Sequence, residues 1–258
     1  MLASGLQKTM FKLIPLLLVL FAMGCAHTGG VDRPDQDQAE IRLDLAERYL
    51  VEHEPREALE QLRQVREVIP DDPRVHFNLG LVHTTLENWD RAAKAFEDAL
   101  DLKPGYGEAW NNLGQVKKAQ GKTDQAIQAF EKALEQEDYM TPEFAAHNLA
   151  VLYREEGDLG SALHYSRLAL ENNRRFLAGY KLAGELYREK DRYQEALEVY
   201  ERGVRARPES LELNFLFAEE LVRAGRSQEA TEWFQRILEK DDTSEEAQMA
   251  RYYLQSLR

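Results

Sequence analysis

The sequence predicts an all-α protein, a right-handed superhelix of paired helices, because three kinds of position recur along it with a common period. Alanine occupies the first kind in all six copies, at residues 58, 92, 126, 162, 196 and 230. Glycine or alanine occupies the second, at residues 46, 80, 114, 150, 184 and 218. The third holds a large side chain in five copies, Leu62, Phe96, Phe130, Tyr200 and Phe234, and Ser166 in the other. The period is 34 residues, except for a step of 36 between the third and fourth copies.

This pattern resembles the tetratricopeptide repeat, a helix–turn–helix unit of 34 residues. The match is clearest in residues 107–138, where Trp110, Gly114, Ala126 and Phe130 stand at positions 4, 8, 20 and 24. Two antiparallel helices pack closely where a side chain is nearly absent, and positions 8 and 20 supply that gap. We therefore predict a domain over residues 39–258, with six repeats that begin at residues 39, 73, 107, 143, 177 and 211 and a capping helix over 245–257. The total is thirteen helices.

Particular residues mark the ends of the repeats. Arg42 takes position 4 of the first repeat, where an aromatic residue is usual, and a polar side chain suits a terminal repeat that faces water. Pro70, Pro104 and Pro208 end the second helices of their repeats, since proline cannot continue a helix. Two extra residues precede repeat four, and the run Thr-Pro-Glu at 141–143 is typical of a helix start.

Residues 1–24 have the features of a signal peptide. They contain two lysines, no acidic residue and an apolar run of about a dozen residues, too short to span a membrane. The Gly24-Cys25 pair after this run resembles the lipobox of bacterial lipoproteins, although Ala22 and Met23 depart from its usual residues. The resemblance implies that Cys25 is acylated and, because aspartate does not follow it, that the lipid anchors the protein to the outer membrane, facing the periplasm. Residues 25–38 are then a flexible tether.

Composition and motifs argue against several classes of function. The 33 basic and 46 acidic residues give a net charge of −13, which disfavours nucleic acid because its binding depends on neutralising phosphates. His76 and His83 share a helical face, but no complete set of metal ligands accompanies them. No serine–histidine–acid arrangement, phosphate loop or paired-carboxylate site stands apart from the repeats. We expect no enzymatic activity, metal, cofactor or small-molecule substrate.

The expected function is binding of a protein partner in the concave groove. By resemblance to the family, positions 2, 5, 6, 9 and 12 of each first helix face that groove, and in repeats two to four they carry apolar and amide side chains suited to a peptide. We predict a peptide-binding site formed by Phe77, Asn78, Leu81, Asn111, Asn112, Gln115, Phe144, His147, Asn148, Val151 and Arg154. Two alternatives stay open: the asparagines at position 6 bridge neighbouring helices, and the apolar residues pack within the superhelix.

The lipobox, the short tether and the six repeats together resemble the PilF/PilW/Tgl group of type IV pilus pilotins. The most specific segment is YMTPEFAAHNLAVLYREEGD at 139–158, with Tyr-x-Thr-Pro before repeat four. The resemblance implies an outer-membrane lipoprotein that binds a secretin subunit and promotes its assembly. The alternative is a periplasmic scaffold that recruits peptidoglycan or other envelope-assembly enzymes.

Overall fold

The computed structural model describes residues 33–257, which fold into thirteen helices and contain no strand. The predicted signal peptide, Cys25 and the first part of the tether lie outside these residues. The helices are α1 (Arg33–Val51), α2 (Pro55–Val68), α3 (Pro73–Thr85), α4 (Trp89–Leu102), α5 (Gly107–Ala119), α6 (Thr123–Leu134), α7 (Pro142–Glu155), α8 (Leu159–Asn172), α9 (Leu177–Glu189), α10 (Tyr193–Ala206), α11 (Leu211–Arg223), α12 (Ser227–Lys240) and α13 (Glu245–Ser256). The predicted fold class, with six helix pairs and a final helix, is confirmed.

Helix α1 begins earlier than the sequence pattern indicates. Residues 33–38, assigned to the flexible tether, form its first turns. The acidic Asp35 lies in the first turn, where a negative charge interacts favourably with the helix dipole. The pattern missed these residues because the apolar period begins only at Ala39, the first buried residue.

In the three repeats with glycine at position 8, that residue of the first helix directly faces the aromatic ring at position 24 of the second helix. A Cβ atom added to Gly80 would lie 2.5 Å from the ring of Phe96, and one added to Gly114 would lie 2.6 Å from the ring of Phe130. Both distances are too short for real atoms, so these helices can approach only with glycine at position 8. A Cβ atom added to Gly184 would likewise lie too close, 2.1 Å from the ring of Tyr200.

In two of the other three repeats, a larger residue at position 8 goes with a smaller residue at position 24. Alanine replaces glycine at position 8 of repeats one and four, where the facing residues are the smaller Leu62 and Ser166. Repeat six is the exception, since an alanine faces Phe234 there. Its ring stacks on Tyr253 of the capping helix, with centroids 5.0 Å apart.

The turn inside each repeat has a left-handed residue at position 15. The three glycines there, Gly121, Gly157 and Gly225, have φ of 73°, 80° and 74°. In the other repeats His53, Glu87 and Asp191 adopt φ of 61°, 57° and 56°. The turn geometry is therefore set by the packing of the helices, and it persists where the sequence does not provide glycine.

A second recurring contact joins successive repeats. The side chain at position 4 hydrogen-bonds to the carbonyl oxygen of position 32 in the preceding repeat. The contacts are His76 Nε2 to Pro70 O at 2.7 Å, Trp110 Nε1 to Pro104 O at 2.8 Å, Tyr180 Oη to Arg174 O at 2.9 Å and Asn214 Nδ2 to Pro208 O at 3.3 Å. These carbonyls follow the last turn of a second helix, and the contact forms in repeats two, three, five and six, where position 4 has a side chain that can donate a hydrogen bond. Repeat four has Ala146 at this position and lacks the contact.

The first helices line the inner face of the superhelix. Contacts join α1 to α3, α3 to α5, α5 to α7, α7 to α9 and α11 to α13, although not α9 to α11, whereas the described second helices make no comparable contacts with one another. The first helices therefore lie closer together, as expected for the concave side of a curved solenoid.

The two-residue insertion before repeat four leaves the core continuous. Tyr139 is buried beside Phe130 and Leu149, in a cluster shared by repeats three and four. A Cβ atom added to Gly107 would lie 2.5 Å from the Cβ atom of Tyr139. Tyr139 therefore packs closely against the first residue of α5.

We predict that Gly184→Ala destabilises the fold by about 1–3 kcal/mol, because the added methyl group overlaps the ring of Tyr200. Urea unfolding measures the effect. Adding Tyr200→Leu should restore part of the loss, since a leucine faces alanine in repeat one. Gly105→Ala is the control, because its nearest neighbour would be 3.5 Å away. Equal effects of both alanine substitutions would contradict this account of the packing.

Candidate functional site

The structure places all eleven predicted groove residues on three consecutive first helices, α3, α5 and α7. They differ in how accessible they are. Gln115 and Phe144 are exposed, while Asn78 and Asn111 are only 3% and 6% exposed. The remaining seven are partly buried.

The asparagines of the predicted site bond within the protein. Asn78 Nδ2 donates to Glu47 Oε1 on α1 at 3.0 Å, and Asn148 Nδ2 donates to Asn111 Oδ1 at 3.1 Å. Asn112 Nδ2 donates to the backbone oxygen of Glu108, one turn earlier in α5, at 2.7 Å. Bridging of neighbouring helices, the alternative reading of position 6, therefore describes Asn78 and Asn148 in this structure.

The aromatic residues of the groove form pairs that the sequence pattern did not reveal. Tyr106 and Phe176 stand at position 34, the last residue of a repeat, and each covers position 5 of its own repeat. The ring of Tyr106 lies 4.8 Å from that of Phe77, and the ring of Phe176 lies 5.4 Å from those of Phe144 and His147. Phe77 is thus packed inside the superhelix, whereas Phe144 remains 46% exposed.

Met140 is an exposed apolar residue two positions before α7, and sequence reasoning did not include it in the predicted site. It occupies position 34 of repeat three, as Tyr106 and Phe176 do in their repeats, but it is 82% exposed. The insertion follows it directly, and position 5 of its repeat is the polar Asn111. The repeat position of Met140 could be read from the sequence, but the sequence does not show which side chain a residue at position 34 contacts. We call Met140, Phe144 and Phe176 the α7 apolar patch.

Ion pairs connect the last turns of the first helices from repeat three onward. Lys118 Nζ lies 2.7 Å from Glu155 Oε1, and Arg154 Nη1 lies 2.7 Å from Glu185 Oε2. Arg154 also pairs with Glu189. The predicted groove residue Arg154 is therefore already paired with carboxylates within the protein.

The same series continues at the end of the superhelix. Arg188 Nε lies 3.3 Å from Oε1 of Glu220, a carboxylate that is only 2% exposed. Burial raises the pKa of Glu220, and the charges of Arg188 and Arg223 oppose that rise. This edge of repeats three to six is held by internal ion pairs.

His147 lies between the α7 apolar patch and the ion pairs. Burial lowers the pKa of its imidazole, and the positive charge of Lys118 lowers it further. Its Nδ1 atom is buried without a hydrogen-bond partner in residues 33–257. The neutral ring thus contributes an apolar edge to Phe176.

Two further findings concern metals and membranes. Within the part of the chain that the structure describes, no group of three or more His, Cys, Asp or Glu residues could hold a metal ion. In the same range, none of the helices combines the length and the apolar character needed to cross a bilayer.

The repeat architecture and the inner face together define a helical-repeat scaffold for protein interactions. Tetratricopeptide-repeat models match residues 43–107, 107–138 and 187–252, which together exceed half of the chain. The chain belongs to the tetratricopeptide-repeat proteins.

Curated relatives match over short segments. The small glutamine-rich tetratricopeptide repeat-containing protein 2 of Saccharomyces cerevisiae is 31% identical over 78 residues, 30% of this chain and 22% of that protein. Human tetratricopeptide repeat protein 7A is 36% identical over 81 residues, 31% of this chain and 9% of that protein. The chain thus spans less than a third of the length of these relatives, and the matches identify shared repeats.

Two solved structures resemble the chain along most of its length. PilF of Pseudomonas aeruginosa superimposes with a TM-score of 0.67 at 19% identity, covering 84% of this chain and 98% of that structure. PilW, described as a widely conserved type IV pilus biogenesis factor, has a TM-score of 0.65 at 21% identity and covers 83% and 98%. At this identity the likeness shows the shared fold.

We predict that the free energy of unfolding falls as the pH drops below about 6.5. The folded chain holds His147 neutral while the unfolded chain takes up the proton, so this contribution is complete above pH 6.5 and lost below it. Urea unfolding at about pH 7.5 and about pH 5.5 measures the change. His147→Gln should reduce the pH dependence, and the exposed-site control His164→Gln should not. Unchanged pH dependence in His147→Gln would contradict the prediction.

Proposed function

We propose that this chain is a lipid-anchored outer-membrane protein of the pilotin type. It binds a secretin subunit in the concave groove and promotes secretin assembly in the outer membrane during type IV pilus biogenesis. The observation that carries the proposal is the match of the six-repeat solenoid to nearly the whole of the PilF and PilW structures. The lipobox at Cys25 supports the proposed location.

The groove offers its free binding surface near the start of α7. Met140 and Phe144 are exposed apolar side chains, and Gln115 is an exposed amide on the neighbouring α5. Phe77 is already packed against Tyr106 and Arg154 is already paired with two glutamates. A secretin segment would therefore bury apolar side chains against the α7 apolar patch, because exposed apolar surface gains most from being covered.

We predict that Met140→Glu with Phe144→Glu abolishes partner binding while leaving the fold intact. Both residues are exposed, so the charges remain hydrated in the free protein but would be buried unpaired in the complex. The variant is expressed in a strain that lacks the chromosomal gene. Secretin multimers on an unheated gel and surface pili should decrease as they do in the deletion. Tyr252→Glu, an exposed position on the capping helix, is the matched control.

Two results separate the proposal from its alternative. Normal secretin multimers and normal pili in the deletion strain would exclude the pilotin function. Affinity purification of the wild-type chain from the cell envelope then decides what it does bind. Recovery of peptidoglycan enzymes, lost in the Met140→Glu, Phe144→Glu variant, would establish the scaffold function instead.

A separate prediction concerns the anchor. Cys25→Ser removes the thiol that acylation requires, and lipid chains contribute about 0.8 kcal/mol per buried methylene to membrane attachment. The variant should disappear from the outer-membrane fraction after density-gradient separation of the membranes. A variant that still sediments with the outer membrane would contradict lipid anchoring, and it would leave the groove prediction open to its own test.

A further inference from the structure

A basic cleft lies apart from the predicted groove residues, none of which lines it. Its cavity, of about 440 Å³, lies between α2, α3 and α4. Arg63 and Arg66 of α2 face Arg91 and Lys94 of α4 across it, and His83 of α3 lies at its floor. Four cationic side chains converge here in a chain whose net charge is −13.

Two carboxylates, Asp90 and Asp98, also line the cleft, and neither pairs with its arginines. Asp98 Oδ1 lies 2.7 Å from Lys94 Nζ, and Asp90 Oδ1 accepts a hydrogen bond from Gln120 Nε2 at 2.8 Å. Within residues 33–257, no carboxylate comes within 4 Å of the guanidinium groups of Arg63, Arg66 or Arg91. The four cationic side chains outnumber Asp90 and Asp98 by two, so the lining of the cleft carries a net charge of +2, and three of its guanidinium groups have no ion-pair partner.

The equivalent cleft of the next repeat has the opposite character. It lies between α4, α5 and α6 and has a volume of about 680 Å³. Four acidic residues and two lysines line it, so its net charge is −2: Glu97, Asp101, Glu131, Glu135, Lys117 and Lys132. Helix packing alone thus creates the cavity in both repeats, and it does not require arginine. The positive charge of the basic cleft is a property of these particular residues.

We propose that the basic cleft binds a phosphate group, held by the guanidinium groups of Arg63, Arg66 and Arg91. A carboxylate has two oxygens, which a single guanidinium satisfies in a bidentate pair. Phosphate offers more acceptor oxygens and a larger negative charge, so it can bridge several arginines, and arginine is well suited to phosphate recognition. Of the simple biological anions, phosphate best suits a cleft that is lined by three guanidinium groups.

His83 provides a reporter inside the cleft. Its Nδ1 atom is buried without a hydrogen-bond partner in the described chain. Burial lowers the pKa of its imidazole, and the charges of Arg91, Arg63 and Arg66 lower it further. The second histidine of the cleft, His76, is already bonded to the carbonyl of Pro70. A bound phosphate would stabilise protonated His83, because an opposite charge nearby favours the charged form.

The phosphate could be free or part of a lipid headgroup. The proposed acylation site, Cys25, precedes α1 by eight residues, and a chain of that length spans at most about 28 Å. Lipid headgroups would then be within reach of the first repeats. The phosphate site itself does not depend on the anchor or on secretin binding, so it can be tested apart from both.

The test follows the titration of His83 by NMR in the full chain at low ionic strength. The probes are inorganic phosphate, dihexanoyl phosphatidylglycerol below its micelle concentration, and a hexaglutamate peptide. We expect a phosphate probe to raise the pKa of His83 by about one unit. The phosphate probe that raises the pKa of His83 at the lower concentration identifies the source of the phosphate, free or lipid-borne. No response to either, or a response to the peptide alone, would overturn the proposal.

A double variant tests the arginines. Arg63→Gln with Arg91→Gln should raise the pKa of His83 in the absence of phosphate and abolish the response to phosphate. Both substituted side chains, Arg63 and Arg91, are exposed, so the fold should be retained. The matched control is Arg48→Gln with Arg167→Gln, which removes two exposed arginines from α1 and α8 outside the cleft. An equal response to phosphate in the two double variants would also overturn the proposal.

Discussion

The close approach of two helices at position 8 is the constraint on which the superhelix depends. Gly80, Gly114 and Gly184 each leave space that an aromatic ring from position 24 fills completely. The first and second helices of a repeat can then bury a common core, and the next repeat packs against both. Where position 8 is alanine, as at Ala150, the facing Ser166 is small. In five of the six repeats the residues at positions 8 and 24 therefore vary inversely in size, and repeat six is the exception.

The insertion before repeat four changes the groove without breaking this packing. Tyr139 enters the core shared by repeats three and four, so the two extra residues add no gap. The residue that follows it, Met140, stays exposed, although Tyr106 at the same repeat position is packed on Phe77. A local shift in register therefore produces an apolar surface at one place along an otherwise regular inner face.

The sequence predicted the fold and the placement of the groove residues on the first helices, because close packing restricts the residue at each position. It did not predict the partners of the groove side chains. Asn78 and Asn111 are buried because carboxylate or amide groups of neighbouring helices meet them. Which groups meet depends on the rotation of one repeat relative to the next. The α1 boundary was missed for a related reason, since residues 33–38 are polar and exposed where described.

The two edges of the groove have different physical characters, and this bears on how a partner binds. At the helix starts, Met140 and Phe144 present apolar surface. At the helix ends, Lys118, Arg154 and Arg188 are paired with glutamates of the following repeat. A charged partner would have to displace these internal pairs, whereas an apolar side chain only removes water. If the proposed partner binds in this groove, we therefore expect recognition at the helix starts, driven by burial of apolar surface and only weakly dependent on salt.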